Sequence, residues 1–219
     1  AAVYGFVRTM AIDPGEPGTY VPIGMVADLK GNVYIASPYD QRVRRVDSNG
    51  ILWTAAGFSV RDFTAPNGEA VQGGFSGDGG LATQAQFYKP ADVAFDAQGN
   101  LYIADCGNGR IRLVDREGFI RTFAGKAAGA RVSSGDGGPA FDAVLVSPVS
   151  IAVDLKGNVY AAEFLGHRVR KIASEEPHTI TAFAGTGAAG FSGDGGPAAQ
   201  ARLNGPMGVA VDVVGNVYI

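Results

Sequence analysis

The chain repeats a set of motifs about every 58 residues, and this repetition constrains its fold more than any other feature. A Gly-Asn-(Val or Leu)-Tyr motif recurs at intervals of 68, 58 and 58 residues, with its asparagines at Asn32, Asn100, Asn158 and Asn216. A Ser-Gly-Asp-Gly-Gly motif recurs at intervals of 58 residues, with its aspartates at Asp78, Asp136 and Asp194. A repeat of this length predicts similar structural units that pack side by side.

Each unit is predicted to contain four short strands. In the second unit these are Val93–Phe95, Leu101–Ile103, Arg110–Arg112 and Phe119–Ala124. An Asp-x-x-Gly-Asn turn links the first two strands, because aspartate accepts a backbone hydrogen bond two residues on and glycine adopts the positive φ of a tight hairpin. The turn residues are Asp28, Asp96, Asp154 and Asp212, with Gly31, Gly99, Gly157 and Gly215. Four strands in each unit predict an all-β fold, a β-propeller of four-stranded antiparallel blades.

The strand pattern divides the chain into segments of a single domain. The predicted segments are 1–11, the end of a unit; 22–57, 90–125 and 148–185, three complete units; and 206–219, the start of another. Phe6–Ala11 matches a fourth strand, and Val217–Ile219 lies within a second strand. A single blade made from both ends would lack its third strand and expose unpaired backbone. We therefore expect the two ends to lie on different blades of a larger ring.

Composition excludes several classes of protein. The 219 residues are 46% hydrophobic and carry a formal net charge of −3, which is typical of a globular domain with a real core. No apolar run approaches the roughly 18 residues of a membrane-spanning helix. Cys106 is the single cysteine, so the chain cannot form an internal disulfide. The slightly acidic balance disfavours general nucleic-acid binding.

The segments GNLYIADCGNGRIRLVD and GNVYAAEFLGHRVRKI resemble the repeat of the NHL family of β-propellers. His167 falls on the histidine position of that repeat, where Gln41 and Gly109 stand in the other units. The connector FSGDGGPAAQARLNGPMGVAVD is similar to the long loop between blades of bacterial and teneurin-like NHL proteins. The resemblance covers essentially the whole chain and implies a propeller of about six blades. The ring would then be closed by further sequence or by another copy.

The stretch AGTGAAGFSGDGG contains the pattern Gly-x-Gly-x-x-Gly at Gly185–Gly190. A dinucleotide site needs these glycines between a strand and a helix of a βαβ unit. Here Gly190 leads into Phe-Ser-Gly-Asp, which does not form a helix, and the preceding unit lacks the pattern. No nucleotide site is predicted.

The Gly-Asp-Gly-Gly loops have two interpretations. In the first, the glycines allow a sharp reversal and the aspartate caps a short helical turn such as Pro197–Leu203. In the second, the loops bind calcium, although each supplies one carboxylate and calcium needs six or more oxygen ligands. The structural interpretation is favoured, and calcium remains the alternative cofactor. The candidate metal ligands are Asp78, Asp136 and Asp194.

The third strands carry arginines in phase, which suggests a basic surface for nucleic acid. However, Asp105 and Glu163 end the strands that precede Arg110 and Arg168. We predict that Asp105 pairs with Arg110, Glu163 with Arg168, and Asp40 with Arg42 across the hairpins. No aromatic residue alternates with the arginines, as base stacking would require. Binding of nucleic acid is therefore the weaker hypothesis.

No catalytic or cofactor-binding residue can be assigned from the sequence. The two histidines, His167 and His178, lie in different parts of one unit, whereas a catalytic zinc or iron site usually needs three protein ligands. The favoured function is a scaffold that binds a protein, a small molecule or a glycan. The alternative is a propeller enzyme of the lyase or lactonase kind with a central metal. The family resemblance implies a location outside the cytoplasm.

Overall fold

The computed structural model describes residues 23–58, 73–126 and 129–219. These residues form fourteen short strands, joined by turns and single turns of 3-10 helix. Blade I contains β1 (Met25–Ala27), β2 (Val33–Ser37), β3 (Arg42–Val46) and β4 (Leu52–Ala56). Blade II contains β5 (Pro90–Phe95), β6 (Leu101–Asp105), β7 (Arg110–Val114) and β8 (Ile120–Ala124). Blade III contains β9 (Pro148–Val153), β10 (Val159–Glu163), β11 (Arg168–Ile172) and β12 (Ile180–Ala184).

Within each blade, the strands pair antiparallel in sequence order. A two-stranded sheet, which we call sheet IV, contains β13 (Ala210–Val211) and β14 (Val217–Tyr218). The all-β fold with four-stranded antiparallel blades is therefore confirmed. Phe6–Ala11 and residue 22, the start of the first complete predicted unit, lie outside the described residues, and the six-bladed ring remains a prediction.

The hairpins between first and second strands share one hydrogen-bonded turn. In blade II, one carboxylate oxygen of Asp96 accepts bonds from the backbone N–H groups of Gln98 and Asn100, at 3.0 and 2.8 Å. The other oxygen accepts a bond from the Asn100 side-chain amide at 2.8 Å. Gly99 has a φ of +87°, which a side chain would disfavour. The turns at Asp28, Asp154 and Asp212 bond to their asparagines in the same way.

The blades pack face to face through apolar side chains from both partners. The first interface joins blades I and II, and its buried residues include Val43, Ala56, Phe87, Val93, Ile103 and Ile120. The second interface joins blades II and III, and its buried residues include Tyr102, Ile111, Phe123, Leu145, Ile151 and Ile172. The third interface joins blade III to sheet IV through Tyr160, Val169, Val209 and Val217.

The first strands lie at the inner end of the blades. β1 contacts β5, β5 contacts β9, and β9 contacts β13. The fourth strands instead contact the 3-10 turns of the connector that follows them, at 82–84, 140–142 and 198–200. This radial order, with first strands converging, is the arrangement of propeller blades. None of the helical segments in the described ranges is long and apolar enough to cross a membrane.

Candidate functional site

The connector between blades I and II contains an aspartate that contacts the third strand of blade II. The connector between blades II and III contains one that contacts the third strand of blade III. In the first interface, Asp78 Oδ1 accepts a hydrogen bond from Arg112 Nη2 at 2.6 Å. Asp78 Oδ2 accepts a bond from Thr122 Oγ1 at 2.7 Å. The Arg112 side chain is fully buried, and its Nη1 lies 3.5 Å from Asp105 Oδ2. The guanidinium is therefore held between two carboxylates inside the interface.

The second interface repeats this arrangement one blade further on. Arg170 is fully buried, and its Nε and Nη2 lie 2.8 and 2.7 Å from Asp136 Oδ1. Its Nη1 lies 3.7 Å from Glu163 Oε1. Ser133 Oγ donates a hydrogen bond to the other oxygen of Glu163 at 2.5 Å. We call each set of a connector aspartate, a buried arginine and a buried strand-end acid an arginine cluster.

Burial dominates the electrostatics of the two strand-end acids. Desolvation raises the pKa of Asp105 to about 6, although Asn108, the Tyr88 N–H and Arg112 oppose the shift. Burial also raises the pKa of Glu163, against the hydrogen bond from Ser133 and the charge of Arg170. Removing a charge from water is costly unless a partner compensates it. Each cluster therefore depends on complete pairing among its connector aspartate, its arginine and its strand-end acid.

The predicted hairpin ion pairs are corrected by this geometry. Asp105 lies beside Arg112, whereas the Arg110 guanidinium donates to the carbonyl oxygens of Asn108 and Lys126 at 2.9 and 2.7 Å. Residues two apart on a strand share a face, and the second arginine points into the interface while the first lies near its rim.

The other two pairs differ from prediction in the same way. Glu163 lies beside Arg170, and Arg168 instead contacts Asp136 at 3.4 Å. In blade I, Asp40 pairs with Arg44 at 2.9 Å, two residues beyond the predicted Arg42. In all three blades the acid lies beside the arginine that stands two residues after the predicted one.

The capping interpretation of the Gly-Asp-Gly-Gly loops is wrong for the described loops. The 3-10 turns begin after Leu81, Pro139 and Pro197, and none of these turns has a side-chain cap. Asp78 and Asp136 bond to arginines instead. For calcium, no group of three acidic, histidine or cysteine side chains within the described ranges is arranged to hold a metal. Asp194 occupies the same loop position, but it is exposed and has no arginine partner among the described residues.

Known proteins share these repeats. A family model described as the Teneurin NHL domain matches residues 65–133, which include all four strands of blade II and part of the connectors on either side. Mouse Teneurin-1 is 27% identical over 221 residues, which cover 90% of this chain and 7% of the mouse protein. The match and the curated relatives support an NHL-type assignment of these repeats. The chain spans only a small part of the length of the teneurins that it matches.

Solved structures with propeller folds superpose on this chain. A Bacteroides thetaiotaomicron protein described as of unknown function superposes with a TM-score of 0.64 at 16% identity, covering 90% of this chain and 43% of that one. A streptogramin B lyase superposes with a TM-score of 0.53 at 13% identity, covering 93% and 48%. At these identities the likeness concerns the fold alone.

The histidine position of the NHL repeat connects neighbouring blades. His167 Nδ1 accepts a hydrogen bond from the backbone N–H of Gly205, 3.0 Å away, just before β13. Gln41 Oε1 accepts the equivalent bond from Lys89 at 2.6 Å. Gly109 stands at this position in blade II and has no side chain to make the bond. The second histidine, His178, lies between Glu176 and Phe123 and makes different contacts.

Sequence reasoning missed Asp92, which lies on the inner strand of blade II. Its Oδ2 accepts bonds from Ser150 Oγ and the Ile151 N–H of blade III, both at 2.9 Å. Ser150 Oγ in turn accepts the Val209 N–H at 3.2 Å, so three inner strands are linked in series. Burial raises the pKa of Asp92. The available signal was the repeat itself, since this position is Gly24, Asp92, Ser150 and Gly208 along the chain.

Proposed function

We propose that this NHL domain is a rigid module that binds a partner protein through the turns at one end of its blades. One observation carries the proposal: the tips of the Asp-x-x-Gly-Asn turns expose apolar side chains at one repeated position. Leu29 and Leu155 follow their turn aspartates and are 106% and 68% exposed. Val213 occupies the same position in sheet IV and is 80% exposed. Exposed apolar residues grouped on one surface are typical of protein interaction sites.

A binding role is also supported by charged groups and histidines that have structural partners. The connector aspartates of both arginine clusters hold buried arginines, and the histidines bond to backbone or to a neighbouring carboxylate. Full burial of Arg112 and Arg170 also counts against nucleic-acid binding, because these guanidinia cannot reach phosphate groups.

Between two of the tips lies a cleft that favours a small ligand as a second candidate. Its volume is about 290 Å³, and it separates the β9–β10 turn from the β13–β14 turn. Its lining includes Asp154, Lys156, Tyr160, Lys171 and Asp212. Charged and aromatic groups of this kind suit a glycan or another polar small molecule.

The alternative of a metal enzyme is weakened at Asp92, whose two carboxylate oxygens already accept hydrogen bonds from Val93, Ser150 and Ile151. This carboxylate occurs once in the repeat and lies where the inner strands converge. Stoichiometric metal in the purified protein, lost in the Asp92→Asn variant, would favour the enzyme over the binding module.

The binding proposal is tested by changing the turn tips. A triple variant, Leu29→Ser with Leu155→Ser and Val213→Ser, should retain the thermal melt of the wild type because these side chains are exposed. In cross-linking to proteins of the source organism, it should lose the partners that the wild type retains. The control is Tyr39→Ser with Leu165→Ser, which changes exposed residues on the hairpins between second and third strands. Equal loss in both variants, or no loss in the triple variant, would contradict the proposed surface.

The resemblance to teneurins supports a location outside the cytoplasm. The single cysteine neither supports nor opposes this location, because no internal disulfide is possible. Fractionation of cells that express the intact protein would test it.

A further inference from the structure

The turn between β3 and β4 of blade I holds the single tryptophan of the chain in a fixed orientation. Asp47 Oδ1 accepts hydrogen bonds from the backbone N–H groups of Asn49 and Ile51, both at 2.9 Å. Asp47 Oδ2 accepts a bond from Trp53 Nε1 at 3.1 Å. Trp53 is nevertheless 49% exposed. An aromatic ring that is oriented before binding loses little conformational freedom when a partner covers it.

Arg45 lies beside this ring and lacks a partner for its charge. Its guanidinium carbon is 5.9 Å from the centre of the Trp53 ring. The guanidinium has no ion pair or hydrogen bond within the described ranges, and its Nε is buried without an acceptor. The nearby Asp47 carboxylate already accepts the three bonds of the turn. By contrast, Arg112 and Arg170 each lie between two carboxylates. A buried donor is costly without an acceptor, so Arg45 is suited to an acceptor supplied from outside.

The pair of Arg45 and Trp53 lies on the face of blade I that packs against blade II. Tyr34, Arg45 and Trp53 stand opposite one another across β2, β3 and β4, so they share that face. Tyr34 packs edge-to-face against Phe95 of blade II, with ring centres 4.9 Å apart. The outer end of the row is open in the next blade too, since Arg121 at the position of Trp53 is exposed with described blades on both sides. Exposure at this position therefore belongs to the repeat.

Only blade I, among the three described blades, combines a cation with an aromatic ring here. The positions of Arg45 and Trp53 hold Leu113 and Arg121 in blade II, and Lys171 and Thr181 in blade III. Residues that maintain the propeller recur at equivalent positions, as the turn aspartates do. The combination in blade I is therefore not needed for the fold.

The surroundings of the pair are apolar. Ile51, two residues before Trp53, is 51% exposed. Because the strands of a blade pair antiparallel in sequence order, the β3–β4 turn lies at the same end as the β1–β2 turn, whose tip exposes Leu29. This end of blade I thus presents apolar side chains and one cation without a counterion.

We propose that Arg45, Ile51 and Trp53 bind an acidic segment of the partner protein, in which a carboxylate bonds to Arg45 and a neighbouring apolar side chain covers Trp53 and Ile51. The inference rests on the proposed function, because it names the chemistry of a partner at this end of the blades. The carboxylate accepts charge-assisted hydrogen bonds from the guanidinium, including its Nε. A basic segment would place like charge beside Arg45. Tryptophan and arginine are also the residues that most often dominate the energy of protein interfaces.

The test follows the fluorescence of Trp53, because the chain contains no other tryptophan. The probe is a synthetic peptide with blocked ends and the sequence Leu-Glu-Leu-Glu-Leu. Its titration into the wild-type protein should give a saturable change in Trp53 emission. Arg45→Gln should weaken binding by about tenfold or more, as expected for loss of a charged hydrogen bond. A matched peptide with glutamine in place of glutamate should bind weakly and should not distinguish wild type from Arg45→Gln.

The matched control is Arg121→Gln, which removes an exposed cation from the position of Trp53 in blade II. It should leave the affinity for the peptide unchanged. Trp53→Phe retains an aromatic ring but loses the bond to Asp47, and it should weaken binding several-fold when measured by the anisotropy of a labelled peptide.

Three results would overturn the inference. The first is no saturable change in a wild-type protein whose melt shows that it is folded. The second is equal weakening by Arg45→Gln and Arg121→Gln, which would indicate general attraction of charge. The third is binding of a galacturonic acid trimer, lost in Arg45→Gln, without binding of the peptide, which would identify an acidic glycan as the occupant.

The triple turn-tip variant separates this inference from the proposed function. Arg45 and Trp53 are intact in that variant, so it should bind the peptide normally. Loss of cross-linked partners in the triple variant, together with equal peptide affinity of wild type and Arg45→Gln, would overturn this inference alone. Retained partners in the triple variant, together with peptide binding that depends on Arg45, would contradict the turn tips alone.

Discussion

The first and second interfaces hold the same buried arginine in different surroundings. In the first, Arg112 lies over the rings of Phe75 and Phe87, at 4.7 and 5.4 Å from their centres. In the second, the equivalents of these aromatic residues are Ser133 and Leu145, and no aromatic ring covers Arg170 among the described contacts. The carboxylates on either side of the guanidinium occur in both. The repeat therefore retains the charged cluster and varies the packing around it.

The second interface compensates with additional polar contacts. Arg168 joins Arg170 at Asp136, and Ser133 bonds to Glu163. In the first interface, Asp78 instead accepts a bond from Thr122, whose equivalent in blade III is Ala182. The first interface thus relies more on aromatic packing and the second more on charge. Four predictions test these contacts between blades, from the largest expected effect to the smallest.

The largest effect is expected when a buried arginine is removed. Arg112→Met keeps an unbranched apolar stem but removes the guanidinium, which leaves Asp105 buried without its cation. Loss of one partner from a buried ion pair typically costs about 3 to 5 kcal/mol of unfolding free energy. Urea denaturation should show a loss in this range. A loss below about 1 kcal/mol would mean that Asp105 does not depend on Arg112.

A smaller effect is expected in how the unfolding free energy depends on pH, through Asp105 in the first interface. The pKa of Asp105 is about 6 in the folded protein and is raised from 3.8. The folded state therefore binds this proton more tightly, and stability from this group is lost as the pH rises from about 4 through 6. Relative to Asp105→Asn, the wild type should lose roughly 2 to 3 kcal/mol across this range. A pH-independent difference between the two proteins would contradict the raised pKa.

The connector aspartates should differ in their response to salt. Asp78→Asn and Asp136→Asn each remove one charge from a partly exposed carboxylate, so each should cost about 1 kcal/mol. Because Asp136 faces two guanidinia, its variant should show the larger decrease in cost when salt is raised from 0.05 to about 0.5 M. Thermal melts at both salt concentrations measure this. Silent substitutions at both positions would mean that these aspartates do not stabilise the buried arginines.

The smallest effect is a gain at the histidine position of blade II. Gly109 has a φ of +60°, and His167 and Gln41 adopt φ values of +51° and +59° at the same position. Gly109→His should therefore be tolerated and should add a bond to the Ser147 N–H, worth about 0.5 to 1 kcal/mol. Gly109→Ala is the control, since it has no acceptor. A Gly109→His variant that is no more stable than the control would contradict this role.

Features that depend on neighbouring residues could be predicted from the sequence. The Asp-x-x-Gly-Asn turns need only side chains within five positions. Together with the repeated strand patterns around them, they predicted four strands in each unit. The order of the blades could be predicted because consecutive repeats of the sequence form consecutive blades. These local signals were enough for the fold class.

The partners inside the interfaces could not be predicted in this way. Asp78 and Arg112 are separated by 34 residues and by most of blade II. A register shift between Ile111 and Arg112 further changes the pairing with β8. Adjacency in the hairpin therefore suggested Arg110, whereas burial favours Arg112.

A double-mutant cycle on Asp78 and Arg112 tests the central claim most directly, that connector aspartates bind the buried arginine of the next blade. Unfolding free energies would be measured for wild type, Asp78→Asn, Arg112→Met and the double variant. Contacting charged residues typically show coupling of about 0.5 to 3 kcal/mol, and we predict at least 1 kcal/mol for this pair. Asp136 with Arg112, which belong to different clusters, should show coupling within about 0.5 kcal/mol of zero. Coupling near zero for Asp78 and Arg112 would contradict the account.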